Sequence, residues 1–218
     1  GAHLFRSTGD IQDNWESIKR LALSQIGSEC YGGNFCHNDI DMLVVGMHGG
    51  SNNEWINSTE QGVNVIADSG ETMPKLGGCT HFSLWAIMNS PLMIGCDIRR
   101  MTPATKEILT NKDVIAINQD IECRGPYCIK QWNNPDNVFS LVKPLANGDY
   151  AIGMFNFGDR AGEMSLQFWD IGLPAASGRG LSVYDCWKHE ELGTFTERFV
   201  TTVEPHGCAV LRAKVVKV

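Results

Sequence analysis

Apolar and polar positions alternate along this chain in two textures. Leu4 and Phe5 form a short apolar segment, followed by a turn of small residues that carries Asp10. Trp15, Ile18, Ala22 and Ile26 then recur at helical spacing. The spacing predicts a helix with Asp13 as its N-cap and Glu16 three residues on, the interval of a capping box. Gly27 to Asn34 reads as a loop. His37 to Val45 begins polar and ends in a β-branched apolar run, the pattern of a buried strand with its loop. Gly46 to Gly78, rich in Gly, Asn and Ser, is long for a simple connection and reads as a lid or binding loop. Thr80 to Asn89 is apolar nearly all round, as in a helix buried against a sheet, and Pro91 stops it. Leu92 to Cys96 reads as a buried parallel strand that ends at Asp97. Thr102 and Pro103 open a helix to Leu109, and Asp113 caps another through Asn118.

The texture changes near Asp120. From Tyr127 short alternating segments with turn signals follow one another: Val138 to Val142, Tyr150 to Phe157, Glu163 to Phe168, Leu181 to Trp187, Phe199 to Glu204 and Cys208 to Val216. Asn147-Gly148 between two of them is a hairpin signal. The second half therefore predicts an antiparallel β-sandwich. The first half predicts α/β alternation with a carboxylate-bearing loop after each strand, the placement of catalytic side chains in a (β/α)8 barrel. Its two strands and the end of a third are too few to close such a barrel. The expected division is residues 1–122 and 123–218.

Composition narrows the function. A net charge of −7 argues against nucleic acid, which requires basic patches. No apolar run is long enough for a transmembrane helix, and the N-terminus lacks the layout of a signal peptide. Location, cytoplasmic or secreted, stays open. Eight cysteines suit either free thiols or disulfides such as Cys30–Cys36 and Cys123–Cys128. The chain contains no Cys-x-x-Cys pair, which disfavours zinc. Asn57-Ser58-Thr59 is a glycosylation sequon that reads as chance.

Asp10, Asp39, Asp41 and Asp97 arrive on successive loops. A lone Asp before a helix is ordinarily a cap. Two carboxylates on different loops are what glycoside hydrolysis requires, one to protonate the leaving oxygen and one to attack or to activate water. Arg6, four residues before Asp10, can bond sugar hydroxyls or hold the carboxylates ionised. Trp55 can offer an aromatic platform, whereas Trp15 and Trp85 on helices favour core packing. Asn38-Asp39-Ile40-Asp41 also suits a divalent metal, though it lacks the remaining positions of an EF-hand loop.

These residues resemble glycoside hydrolase family 27, the α-galactosidases and α-N-acetylgalactosaminidases. The similar stretches are His3 to Ile11 with Trp15, Asn38 to Leu43, His81 to Ala86, Ser90 to Arg99 and Leu109 to Asp120. Asp185-Cys186-Trp187, Gly193 and Pro205-His206-Gly207 look like the family's C-terminal β domain. The resemblance implies the last third of a (β/α)8 barrel, from the end of strand six to helix eight, followed by an antiparallel β-sandwich. It implies retaining hydrolysis of terminal α-galactosides with no cofactor and no metal. It makes Asp10 the general acid/base, Arg6, Asp41 and Met42 sugar contacts, and Asp39 a supporting carboxylate. Asp97 would stabilise the loop after the eighth strand. The family's nucleophile is an Asp at the end of the fourth strand, which would lie upstream of Gly1. The chain alone is therefore expected to be inactive, its partner being the N-terminal barrel half, from the same gene product or a second chain. A non-catalytic sugar-binding or structural remnant is the alternative. Galactose and N-acetylgalactosamine both stay open as the sugar.

Overall fold

The first half is organised by one pair of parallel strands. A computed structural model of the chain describes residues 3–28, 31–47, 73–131 and 137–218. Strand β1 (Leu4–Arg6) pairs in parallel with β2 (His37–Asp39), placing Phe5 opposite Asn38 and Arg6 opposite Asp39. Parallel pairing sends the loops that follow both strands to the same end. Helix α1 (Trp15–Gln25) returns from that end and buries Ile18, Leu21 and Ala22. Its N-cap is Asn14, whose side chain accepts from the Ser17 N–H, and not Asp13. Asp13 is itself buried, one residue ahead of the cap.

The expected strand from His37 to Val45 is confined to its polar start. Ile40, Leu43, Val44 and Val45 are buried, but as a loop beneath the next helix. Helix α2 (Met73–Ile87) begins before the expected Thr80, so Met73 to Gly78 are helix and not loop. Residues 48–72, with Trp55 and the Asn57 sequon, lie outside the described residues. Thr80 to Ile87 of α2 are all buried, as the all-round apolar pattern requires. Gly78 lets α2 approach the following helix: a Cβ there would lie 3.0 Å from the Ile108 side chain.

Leu92 to Cys96 does not form the expected buried strand. It makes a single parallel bridge, Ile94 to Leu43, and Met93 and Ile94 are 54 % and 46 % exposed. A buried parallel strand is covered on both faces, and among the described residues this segment keeps one bridge and exposed side chains. Helix α3 (Pro103–Leu109) is capped by Thr102 as expected. Helix α4 (Lys112–Asn118) is capped by Asn111, which accepts from the Asp113 and Val114 N–H groups, while Asp113 sits in the first turn.

The second half is antiparallel. Six strands lie in the order β3 (Tyr127–Lys130), β4 (Val138–Pro144), β5 (Tyr150–Asn156), β10 (Cys208–Lys217), β7 (Arg179–Asp185) and β8 (Glu190–Phe195). Strands β6 (Gly162–Gln167) and β9 (Arg198–Val203) form a second, two-stranded sheet. Gly148, with φ of 84°, makes the hairpin turn between β4 and β5. Strand β8 was not legible in the sequence, because Glu-Glu-Leu-Gly-Thr-Phe has the charged, exposed pattern of a protected edge. One core lies between the two sheets and contains Met154, Leu166, Phe168 and Leu211. The other joins the halves, with Ile18, Phe82 and Trp85 on one side and Phe139, Phe155 and Val210 on the other. Of the two states the sequence left open for the cysteines, Cys36, Cys96, Cys123, Cys186 and Cys208 are free thiols. No helix among the described residues is long and apolar enough to cross a membrane.

Candidate active site

Arg6 closes β1 and reaches two carboxylates. Its guanidinium donates to Asp10 Oδ1 at 2.8 Å and to Asp41 Oδ2 at 2.5 Å. The two acids differ in setting. Asp10 hangs from the loop between β1 and α1 with its side chain 87 % exposed, whereas Asp41 is buried. Asp41 Oδ2 also accepts from the Ile11 N–H at 2.7 Å, and its Oδ1 accepts from the Met42 N–H at 2.8 Å. Asp41 therefore lies at the centre of the bonding pattern, and Asp10, held by Arg6, faces solvent.

The loops after β1 and β2 are stitched together. The Ser7 N–H donates to the Asp39 carbonyl at 3.3 Å and the Thr8 hydroxyl to the Ile40 carbonyl at 3.1 Å. Asn38, on β2, donates to Gln25 of α1 at 2.7 Å. Asp39 Oδ1 accepts the Asp41 N–H at 2.8 Å, so Asp39 shapes the loop. Met42 is 41 % exposed at the rim, and a Cβ on Gly95 would lie 2.8 Å from its sulfur. Arg6, Asp10, Asp39, Asp41 and Met42 thus come together at one end of the strand pair. Asp97 is apart from them: it caps the short turn Ile98–Arg100 and holds Arg99 through 2.9 and 3.0 Å contacts. Those Arg99 bonds keep its carboxyl below the usual range.

The metal alternative does not fit this arrangement. Both Asp41 oxygens are occupied by N–H donors, and one of them by Arg6 as well. Among the described residues no three His, Cys, Asp or Glu side chains are grouped to hold an ion.

Helix α2 supplies contacts that the sequence did not reveal. The Trp85 indole N–H donates to the Asp41 carbonyl at 2.7 Å. His81 Nε2 accepts from the Val44 N–H at 3.1 Å, and Ser90, just beyond the helix, accepts from the Ile40 N–H at 3.0 Å. Burial pushes His81 down to about 3, so the ring is neutral and its Nε2 lone pair is available to Val44. The polar letters His81 and Ser90 at the edges of an apolar helix were the only signal. A cavity of about 30 Å³ is lined by Gln25, His37, Asn38, Ile40 and Asn89, and neither Arg6, Asp10 nor Asp41 lines it.

Carboxylates at the C-terminal ends of two parallel strands, followed by an antiparallel sandwich, are the arrangement of a partial β/α barrel with a β-sandwich domain. A family described as "Alpha galactosidase A" matches residues 62–120, and "Alpha galactosidase C-terminal beta sandwich domain" matches residues 136–213. The chain belongs to glycoside hydrolase family 27. A curated relative named "Probable alpha-galactosidase" from Dictyostelium discoideum is 32% identical over 95% of this chain and 48% of its own length. The crystal structure of α-galactosidase I from Mortierella vinacea superposes with a TM-score of 0.74 at 25% identity, over 97% of this chain and 53% of that one. A family 27 β-L-arabinopyranosidase from Geobacillus stearothermophilus does so with a TM-score of 0.78 at 25% identity, over 98% and 45%. The chain spans about half the length of the curated relatives it matches.

Proposed function

We propose that this chain is the C-terminal portion of a retaining glycoside hydrolase that releases terminal α-galactose. The observation that carries this reading is Arg6, which bridges Asp10 and Asp41 at the ends of two adjacent strands. Asp10 acts as the general acid/base. In its protonated form it gives a proton to the glycosidic oxygen while a carboxylate from the N-terminal barrel half attacks the anomeric carbon. The glycosyl ester is then hydrolysed by a water that Asp10 deprotonates. Asp10's exposure suits this role, because the leaving group must reach it. Asp41 and Arg6 bond sugar hydroxyls, Met42 lines the pocket, and Asp39 supports the Asp41 loop.

The relatives named as α-galactosidases support the sugar assignment. The nucleophile and the remaining sugar contacts belong to the N-terminal half of the barrel, so residues 1–218 alone are inactive on this reading. Leu4, Met93 and Ile94 are large apolar side chains left exposed, which supports a reading in which further barrel strands cover them.

The test is a panel of aryl glycosides given to the polypeptide that joins this chain to its N-terminal barrel half. The proposal expects hydrolysis of the α-galactoside with retained anomeric configuration, observed by proton NMR of the first-formed sugar. Preference for the α-N-acetylgalactosaminide or the β-L-arabinopyranoside would move the enzyme within its family. Inactivity on all three would return the reading to a non-catalytic sugar-binding or structural remnant.

A further inference from the structure

Trp85 has the burial of a core residue, with 0 % of its surface exposed, yet its one polar atom is committed to the site. Its indole N–H donates to the Asp41 carbonyl at 2.7 Å. Asp41 has φ of 89°, a left-handed conformation that side-chain-bearing residues rarely adopt. Such a conformation persists only where the surroundings over-determine it. Two of the restraints are local: Asp39 Oδ1 accepts the Asp41 N–H, and the Asp41 carboxylate accepts the Met42 N–H. Trp85 adds a restraint from the buried helix α2.

The indole is itself fixed. His81, one turn earlier on α2, packs edge-on against it with ring centroids 4.2 Å apart. His81 also grips the same loop at Val44, and Ser90 grips it at Ile40. The peptide carrying Asp41 is thus held between two side-chain anchors, and Trp85 fixes its carbonyl. A buried carbonyl deprived of its donor is costly, so loss of the N–H would favour rotation of this peptide. Rotation would swing the carboxylate away from Arg6 and the Ile11 N–H.

We propose that Trp85 is a positioning residue for sugar binding, setting the Asp41 backbone through its indole N–H. The proposal rests on the reading of Asp41 as a sugar contact. Trp85→Phe keeps an aromatic ring and removes the donor. In the polypeptide joined to its N-terminal barrel half, KM for the aryl α-galactoside rises about tenfold and kcat changes less than about threefold. Phe82→Leu, a core substitution on the same helix, lowers the melting temperature and leaves KM unchanged. The crystal structure of the Trp85→Phe chain shows Asp41 out of its left-handed conformation and parted from Arg6. If the wild-type polypeptide proves inactive on galactosides, the functional reading fails and this crystal structure alone decides the positioning claim. An unchanged KM in an active enzyme, or an unmoved Asp41 in the crystal, overturns it. Should Trp85→Phe not fold, a benzothienylalanine placed at position 85 preserves the ring shape without the N–H, and the same outcomes apply.

Discussion

Lys143 carries a charge into the seam between the two halves. It is fully buried, and its ammonium donates to Asn89 Oδ1 at 2.5 Å and to the Ile117 carbonyl at 2.7 Å. Both acceptors lie at the C-terminal ends of helices, α2 and α4, where the helix dipole favours a cation. Burial still dominates: it pushes Lys143 down to about 8, against the opposing pull of Asp120 and Cys123. The folded value lies below the unfolded one, so the unfolded chain binds more protons between about pH 8 and 10.5. Stability should therefore rise with pH across that window, by about 3 kcal/mol. Urea unfolding of the native chain and of Lys143→Met at pH 7.5 and pH 10.5, conditions of about neutral and high pH, measures the difference. A native-minus-variant difference that does not grow with pH would contradict the assignment. Residues of this kind were illegible in the sequence, where a Lys at the end of an apolar strand reads as a solvated terminus. Arg6 and Asp10 were legible because a four-residue spacing in a tight loop puts them together whatever the rest of the chain does. Asp41 needed the second strand to bring it to them.

Capping decides where the helices begin, and it corrected the sequence reading twice. Asp13 lies one residue from the cap Asn14 and Asp113 two residues from the cap Asn111, so composition alone shifts a helix start by a residue or two. Asn14 holds one N–H of α1. Asn111 holds two N–H groups of α4, and its amide also donates to the Cys186 carbonyl in the sandwich at 2.9 Å. Asn14→Ala should cost about 1 kcal/mol. Asn111→Ala should cost about 2 kcal/mol, since it also leaves a buried carbonyl without its donor. Denaturant unfolding of both variants checks the order, and equal losses would remove the contribution of the Cys186 contact. Antiparallel strands were legible because hairpin turns and alternation define them locally. The parallel ones were not: β1 and β2 are three residues each, and Leu92 to Cys96 keeps a single bridge. Strand β8 was hidden by its own charged edge pattern.

The two halves share a core, and this shapes how the whole molecule behaves. Helices α1 and α2 contribute Ile18, Phe82 and Trp85, and the sandwich contributes Phe139, Phe155 and Val210 to the same apolar cluster. Trp15 stacks on His206 at 4.5 Å, the Trp187 indole donates to Ser83 at 3.0 Å, and Thr80 donates to the His206 carbonyl at 2.8 Å. Unfolding should therefore be one cooperative transition, with fluorescence and circular dichroism coincident. Two separated transitions would mean that the seam contributes little. Barrel membership was legible through the order of motifs, and the sandwich through its alternation. The seam was not, because its partners lie far apart in the chain, as Tyr184 and Asp113 or Thr80 and His206 do.

The central claim is that Asp10 moves the proton in glycoside cleavage. The most direct measurement is hydrolysis of an aryl α-galactoside by the polypeptide joined to its N-terminal barrel half, with and without Asp10→Asn. The account predicts activity in the native protein and a fall in kcat of about a thousandfold in the variant, within the range for loss of a general acid/base. It also predicts that residues 1–218 alone release no product. A variant that keeps native turnover, or hydrolysis by this chain by itself, would contradict it.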